Sequence, residues 1–207
     1  DGESAKSLSL LENIYSQLID LGCSRDSTFI ALGGGVIGDL TGFIAATFMR
    51  GVQYVQIPTT LLAMVDSSIG GKTGVNISKG KNLVGSIYQP LVVIIDPRFL
   101  HTLPNREIIS GMGEVIKYGL ALDSKLFQFL NDNMDNIINL SSDQVIEEVV
   151  IRCAQLKTEI IIEDEFENDR RRILNFGHTI GHAFETYFNY DLLRHGEAVA
   201  YGMIAAA

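Results

Sequence analysis

Phe29-Ile30-Ala31-Leu32-Gly33-Gly34-Gly35-Val36-Ile37-Gly38-Asp39, running on through Leu40-Thr41-Gly42-Phe43-Ile44-Ala45-Ala46-Thr47-Phe48, decides the fold class. A short apolar run ends in glycines, and a helix-forming stretch follows. That order is a strand, a tight turn and a helix, the unit from which parallel α/β sheets are built. Glycine lets backbone N–H groups approach an anion and the helix N-terminus adds partial positive charge, so the turn is a candidate phosphate cradle. Gly33, Gly35 and Gly38 also satisfy GxGxxG. Glycines at that spacing fit a ligand-free turn as well. The next strand ends Gln56-Ile57-Pro58, without the acidic residue that holds ribose hydroxyls in a dinucleotide-binding unit.

Working outward, strands are expected at Thr28 to Leu32, Tyr54 to Ile57 and Leu91 to Ile95, alternating with glycine turns and helices. Past Pro104 strand signals vanish and Val145, Val149, Cys153, Leu156 and Ile160 recur at helical spacing. The expected organisation is an α/β domain over 1–100 and an all-helical domain over 101–207, joined between Pro97 and Asn105. At 207 residues, with 46% apolar and 20% charged side chains, the chain can bury a substantial core. A net charge of -9 and a pI near 4.8 argue against nucleic acid or an anionic membrane as partner. Cys23 and Cys153 form no CxxC pair, so no disulfide framework is expected and a cytoplasmic location is. No apolar run is long enough to span a bilayer. A start at Asp1 and a stop in the helix-forming Met203-Ile204-Ala205-Ala206-Ala207 read as cut ends.

Asp66-Ser67-Ser68-Ile69-Gly70-Gly71-Lys72-Thr73-Gly74 ends like a Walker A loop, but Asp66 stands where that motif requires its first glycine. What remains is Lys72, Lys81 and Asn82 in glycine-rich backbone expected to be flexible, a pattern suited to an anionic small molecule. Glu114 and Lys117 lie three apart on one helix face; an arbitrary pair of this kind is as a rule a surface ion pair, but the flanking glycines and apolar neighbours set this one apart. Lys157 sits in an apolar helical run, and Arg170-Arg171-Arg172 precedes the histidines.

Three of the four histidines fall in Asn175-Phe176-Gly177-His178-Thr179-Ile180-Gly181-His182 and His195-Gly196-Glu197, the layout of a metal site with a carboxylate as further donor. His178 and His182 share a helix face as in zinc proteases, but Thr179 replaces the glutamate such an enzyme needs as its base. Periodicity does not choose two binders among three histidines.

The strings GGGVIGDLTGFIAATFMRG, IPTTLLAMVDSSIGGKTGVN, GKNLVG, GEVIKYG, LNFGHTIGHAFE and HGEAVAYGM together resemble the 3-dehydroquinate synthase family of sugar-phosphate cyclases, over essentially the whole chain. The resemblance implies a zinc or cobalt ion on Glu114, His178 and His195, with His182 in the substrate pocket instead. It implies NAD along Gly34, Gly35, Val36 and Asp39, reaching Thr59, Thr60, Leu62, Lys72, Lys81, Phe99 and Thr102, with Glu3 and Lys6 on the adenosine ribose. Catalytic positions would be Asp66, Lys72, Lys117, Lys157, Arg171, Asn175 and His182; Arg50, Lys81, Asn82 and Glu167 would bind an anionic sugar phosphate. The implied reaction is carbon–oxygen lyase chemistry of the shikimate pathway: NAD oxidises a substrate alcohol, phosphate is eliminated, the hydride returns, and the ring closes by aldol addition. Family members are homodimers as a rule, with a dinucleotide-binding α/β domain and an all-helical metal-binding domain; they carry further strands before and helices after the matched span, so zinc binding, weak NAD binding and little turnover are the expectation for the chain alone. Competing readings are a sister cyclase of the 2-deoxy-scyllo-inosose synthase type, acting on glucose 6-phosphate or sedoheptulose 7-phosphate, a metal-dependent alcohol dehydrogenase of the glycerol dehydrogenase type, and a non-enzymatic binding module.

Overall fold

The computed structural model describes residues 2–188 and 192–207. They divide into two compact units. One comprises Asp1–Thr59 and Ser67–Asp96, the other Thr60–Asp66 and Pro97–Ala207.

In the first unit, α1 (Leu8–Asp20) precedes β1 (Thr28–Gly33), α2 (Gly35–Thr47), β2 (Gln53–Pro58), β3 (Lys72–Ile77), β4 (Gly80–Ile87) and β5 (Val92–Val93). β1, β2 and β5 form a parallel sheet in that order, registered Thr28 to Gln53 and Val55 to Val92. The expected third strand is thus shortened to two residues. α2 packs on β1 and β2 because its glycines remove side-chain bulk. A Cβ on Gly38 would lie 2.5 Å from Gln56 Oε1, and one on Gly42 2.4 Å from Thr73 Cγ2. Leu11, Leu40, Phe43, Ile44, Phe48, Val52, Tyr54 and Val75 form the core. Lys72, Lys81 and Asn82 do not lie in flexible loops: they belong to an antiparallel hairpin, β3 pairing with β4 from Lys72–Ile87 to Ile77–Gly80. The run Thr73-Gly74-Val75-Asn76-Ile77 alternates too weakly to signal a strand beside so many glycines. Close backbone approach is what Gly74 and Gly85 permit, since a Cβ on Gly85 would stand 2.2 Å from Thr73 O.

The second unit contains no strand among its described residues: α3 (Asn105–Ala121), α4 (Ser124–Ile138), α5 (Asp143–Glu163), α6 (His178–Tyr187) and α7 (His195–Ala206) follow one another. The segment Ala63–Ser67 is a π turn. α3 is buried on almost every side from Ile108 to Gly119, which makes it the axis of the unit. On α5 the buried stripe reads Ile146, Val149, Val150, Cys153, Lys157, Ile160, so a lysine occupies one position of an otherwise apolar face.

Candidate functional site

Glycines bring three helices together around that axis. A Cβ on Gly196, in α7, would lie 1.7 Å from Ser110 O, and one on Gly113, in α3, 2.2 Å from Gly196 O. On its other side α7 meets α6, where a Cβ on Gly202 would lie 1.9 Å from Gly177 O. Gly177 also caps α6 with φ 79°, a left-handed conformation suited to glycine. The start of α7 is held by Arg106, which donates from Nε and Nη2 to the two oxygens of Glu197 at 2.8 and 2.9 Å. Glu197 in turn accepts from Arg194 N at 2.9 Å. His195, the first residue of α7, is thereby placed beside both α3 and α6.

The result is a cluster of Glu114, His178 and His195, with donor atoms all within 4.8 Å of one another. Glu114 is fully buried; its Oε2 accepts from Lys117 Nζ, while its Oε1 accepts no hydrogen bond among the described residues. That oxygen stands 3.5 Å from His178 Nε2 and 3.6 Å from His195 Nε2. Donors about 2.1 Å from a tetrahedral ion are separated by roughly 3.4 Å, so an orphaned carboxylate oxygen flanked by two imidazole nitrogens at this spacing fits such an ion. Burial and Asp66 push the Glu114 carboxyl up, yet His195, Lys117 and His178 outweigh them and lower it. Burial lowers His178, whereas on His195 it is overcome by Glu114 and Glu185, which raise it to about 10.

A second buried group adjoins this one in the same unit. Lys157 donates to Asp66 Oδ1 at 2.7 Å, and Tyr118 Oη donates to the same oxygen at 3.1 Å and to Val65 O at 3.0 Å. Burial opposes the Asp66 charge, but Lys157 and Lys117 hold the carboxyl far below the usual range. Burial lowers Lys157 against the pull of Asp66. Arg171, buried at 2% exposure, donates to Glu165 O, and Asn175 Nδ2 donates to Glu167 Oε1 at 2.5 Å.

Family models for the N-terminal and C-terminal parts of 3-dehydroquinate synthase match residues 1–110 and 111–207. The chain belongs to the 3-dehydroquinate synthase family. A 3-dehydroquinate synthase of Pelobacter propionicus is 51% identical over all of this chain and 57% of its own length. The solved 2-epi-5-epi-valiolone synthase of Streptomyces hygroscopicus, with NAD+ and Zn2+ bound, matches with TM-score 0.91 and 33% identity over 98% of this chain and 57% of that one. A 2-deoxy-scyllo-inosose synthase complexed with carbaglucose-6-phosphate, NAD+ and Co2+ matches with TM-score 0.89 and 38% identity, covering 100% and 56%. The chain therefore spans little more than half the length of the relatives it matches.

The positions named from the 3-dehydroquinate synthase resemblance distribute over both units. In the first, Gly34 is the N-cap of α2 and no side chain caps that helix; a Cβ on Gly35 would come 2.7 Å from Ser67 Oγ, itself buried without a hydrogen-bond partner. Such a cradle fits a dinucleotide phosphate. Val36 lies in its first turn, and Thr59 N donates to Gly33 O at 2.9 Å. Lys6 donates to Asp39 Oδ2 at 2.7 Å and to Asn82 Oδ1 at 2.5 Å, with Glu3 Oε1 at 3.5 Å. Thr60, Leu62, Phe99 and Thr102 belong to the second unit; Thr60 Oγ1 accepts from Ala63 N at 3.2 Å, and Thr102 Oγ1 donates to Phe99 O at 2.9 Å. His182 is exposed, its ring centroid 5.3 Å from that of His178.

Five described non-glycine residues have left-handed φ, and three of them are named substrate positions: Arg50 at 68°, Asn82 at 53° and Glu167 at 59°. Strained backbone of this kind gathers at functional sites. Sequence reasoning missed Tyr118, Arg106, Glu197 and Glu185. The last carried a signal, standing three residues after His182 on the same helix.

Proposed function

We propose that this protein acts as a 3-dehydroquinate synthase, converting 3-deoxy-D-arabino-heptulosonate 7-phosphate to 3-dehydroquinate and phosphate with NAD and a divalent zinc or cobalt ion. The observation that carries the reading is the orphaned Glu114 Oε1 between two histidine nitrogens, beside buried Lys117, Lys157 and Arg171. Solved relatives that bind NAD+ with Zn2+ or Co2+ support the cofactors, and the 51% identical curated relative supports dehydroquinate over the cyclases at 38% and 33%.

Glu114, His178 and His195 would hold the ion; in the first unit the uncapped start of α2 with Gly34, Gly35 and Val36, together with Asp39, Thr59, Glu3 and Lys6, would receive the dinucleotide. Thr60, Leu62, Phe99 and Thr102, in the second unit, are dinucleotide positions by the family resemblance alone. When bound, the ion supplies Lewis acidity to the alcohol being oxidised and the nicotinamide a reversible hydride acceptor. The protein's part is positioning and charge. In the second unit Lys117, Lys157 and Arg171 are the cations for the substrate's anionic groups, and a buried cation is a fixed donor that need not reorganise; the resemblance adds Lys72, Lys81 and Arg50 of the first unit. Asp66, clamped by Lys157 and Tyr118, stays ionised and keeps the Lys157 ammonium aimed. Asn175 and Asn82 offer amides, Glu167 orients Asn175, and His182 is exposed for proton exchange.

A homodimer in the cytoplasm completes the proposal, and light scattering tests the first part. No described helix is long and apolar enough to cross a membrane. The deciding assay follows phosphate release and NADH absorbance with the seven-carbon substrate, with and without chelator. Chelator-sensitive phosphate release with no NADH is the expected result. NADH accumulation would make it an alcohol dehydrogenase, release only from glucose 6-phosphate or sedoheptulose 7-phosphate a sister cyclase, and neither signal a binding module.

A further inference from the structure

Glu185 lies on α6 with only 5% exposure, and the reading above gives it no task. Burying a carboxylate is costly unless a partner compensates. Its Oε2 faces His195 Nδ1 at 3.5 Å, the long end of hydrogen-bonding distance, and His182 Nε2 at 3.8 Å. Across the same imidazole ring, His195 Nε2 faces Glu114 Oε1 at 3.6 Å. Each ring nitrogen of His195 is therefore addressed by a different buried carboxylate. An imidazole donates to a metal from its unprotonated nitrogen, and a carboxylate at the other nitrogen retains the proton there and sets the ring's orientation.

We propose that Glu185 is a positioning residue: it holds His195 by Nδ1–H, so that Nε2 is presented beside Glu114 Oε1 and His178 Nε2 as a metal donor. The inference rests on the metal reading made above and deepens it. Backbone contact between α6 and α7, where a Cβ on Gly181 would lie 3.1 Å from Ala198 O, keeps the carboxylate in reach of the ring. His182, Glu185 and His195 could themselves enclose an ion. That arrangement is the weaker one, because His182 is 59% exposed and an ion on Nδ1 beside another on Nε2 would leave the ring without a proton.

Co2+ titration of the purified protein, read by its visible absorption band, tests this, with the thermal midpoint in excess chelator measured alongside. E185A is expected to weaken Co2+ binding about 10–100-fold and to shift the band. E185Q keeps an acceptor oxygen for Nδ1–H and is isosteric; it is expected to keep the wild-type band and lose about tenfold at most, and it decides the matter should E185A fail to fold. Unchanged Co2+ affinity and band in E185A overturn the inference. So do equal affinity losses in both variants that track equal losses of metal-free stability, which would mark a packing role. Two Co2+ per chain falling to one in E185Q replace it with a second site. A wild-type protein that takes up no Co2+, or an H178A variant that keeps it, overturns the metal reading and this inference together, whereas the other outcomes leave the metal reading standing.

Discussion

Lys6 and Lys117 are each 2% exposed and each meets a carboxylate, but the two networks end differently. Lys6 donates to Asp39 and Asn82; Asn82 N donates to Asn76 Oδ1 at 2.9 Å, and Asn76 Nδ2 returns to Glu3 Oε1 at 2.8 Å. The ring of bonds closes, tying the N-terminal segment to α2 and the hairpin. Lys117 meets Glu114 Oε2, and the chain of bonds stops there with Oε1 buried and unsatisfied between two histidines. The Lys6 ring, closed by its 3.5 Å contact with Glu3, satisfies one buried ammonium with partners that reach the surface, and it fastens the fold. An open network in an otherwise well-packed helical unit marks where a ligand's charge completes it, because an unsatisfied buried carboxylate oxygen is costly to retain for packing alone.

The largest effect expected from breaking that contrast is at Glu114. Glu114→Ala removes a donor and leaves Lys117 without its hydrogen-bonded carboxylate, so metal content should vanish and stability in chelator should fall by about 3–5 kcal/mol. Urea unfolding and metal analysis check both; retained zinc would break the comparison. Lys157→Ala and Arg171→Ala come next. Losing a charge-assisted bond to substrate costs on the order of 1.5–3 kcal/mol, so turnover should fall roughly 10–100-fold or more with NAD affinity little changed. Equal losses in both quantities would remove these cations from the substrate site.

Lys6→Met should open the closed ring at about 1–3 kcal/mol in urea unfolding while zinc content stays at the wild-type level. Loss of zinc there would mean the two networks are not independent. The smallest effect is protonic. Burial lowers His195 but Glu114 and Glu185 raise it to about 10 in the metal-free fold, above its ordinary 6.5. Its stabilising contribution is thus fully present below about pH 6.5 and is lost as pH rises toward 10. Burial lowers His178, so at pH 7 only His195 carries a proton to displace, and zinc uptake should release about one proton by calorimetry in buffers of different ionisation enthalpy. Release of two would place a charge on His178.

Much of the site was legible as residue types and little of it as geometry. Lys157 was visible as a lysine in an apolar helical stripe, and the histidine-rich segment was visible as metal chemistry, because both signals are local. The strand at Lys72 was not, since its glycines serve cross-strand contacts with Gly85 that no local pattern announces. By spacing alone Glu114 is half of a Glu-x-x-Lys pair; its flanking glycines and apolar neighbours set it apart, and only the family resemblance made it a metal donor. Its burial depends on α7, whose contact is made through Gly113 and Gly196.

Alternation, helical period and glycine placement by themselves determined a parallel α/β unit followed by helices, and they put Glu114, Lys117, Lys157 and His178 on helices. They could do so because backbone sterics and side-chain period act within a few residues. Tertiary structure alone decided which of the histidines faces Glu114, that Asp66 would be clamped by Lys157 ninety-one positions away, and that Glu185 would stand behind His195. Those pairings are set by how closely α7 can approach α3 and α6, and that distance is fixed by glycines packed against backbone carbonyls far apart in the chain.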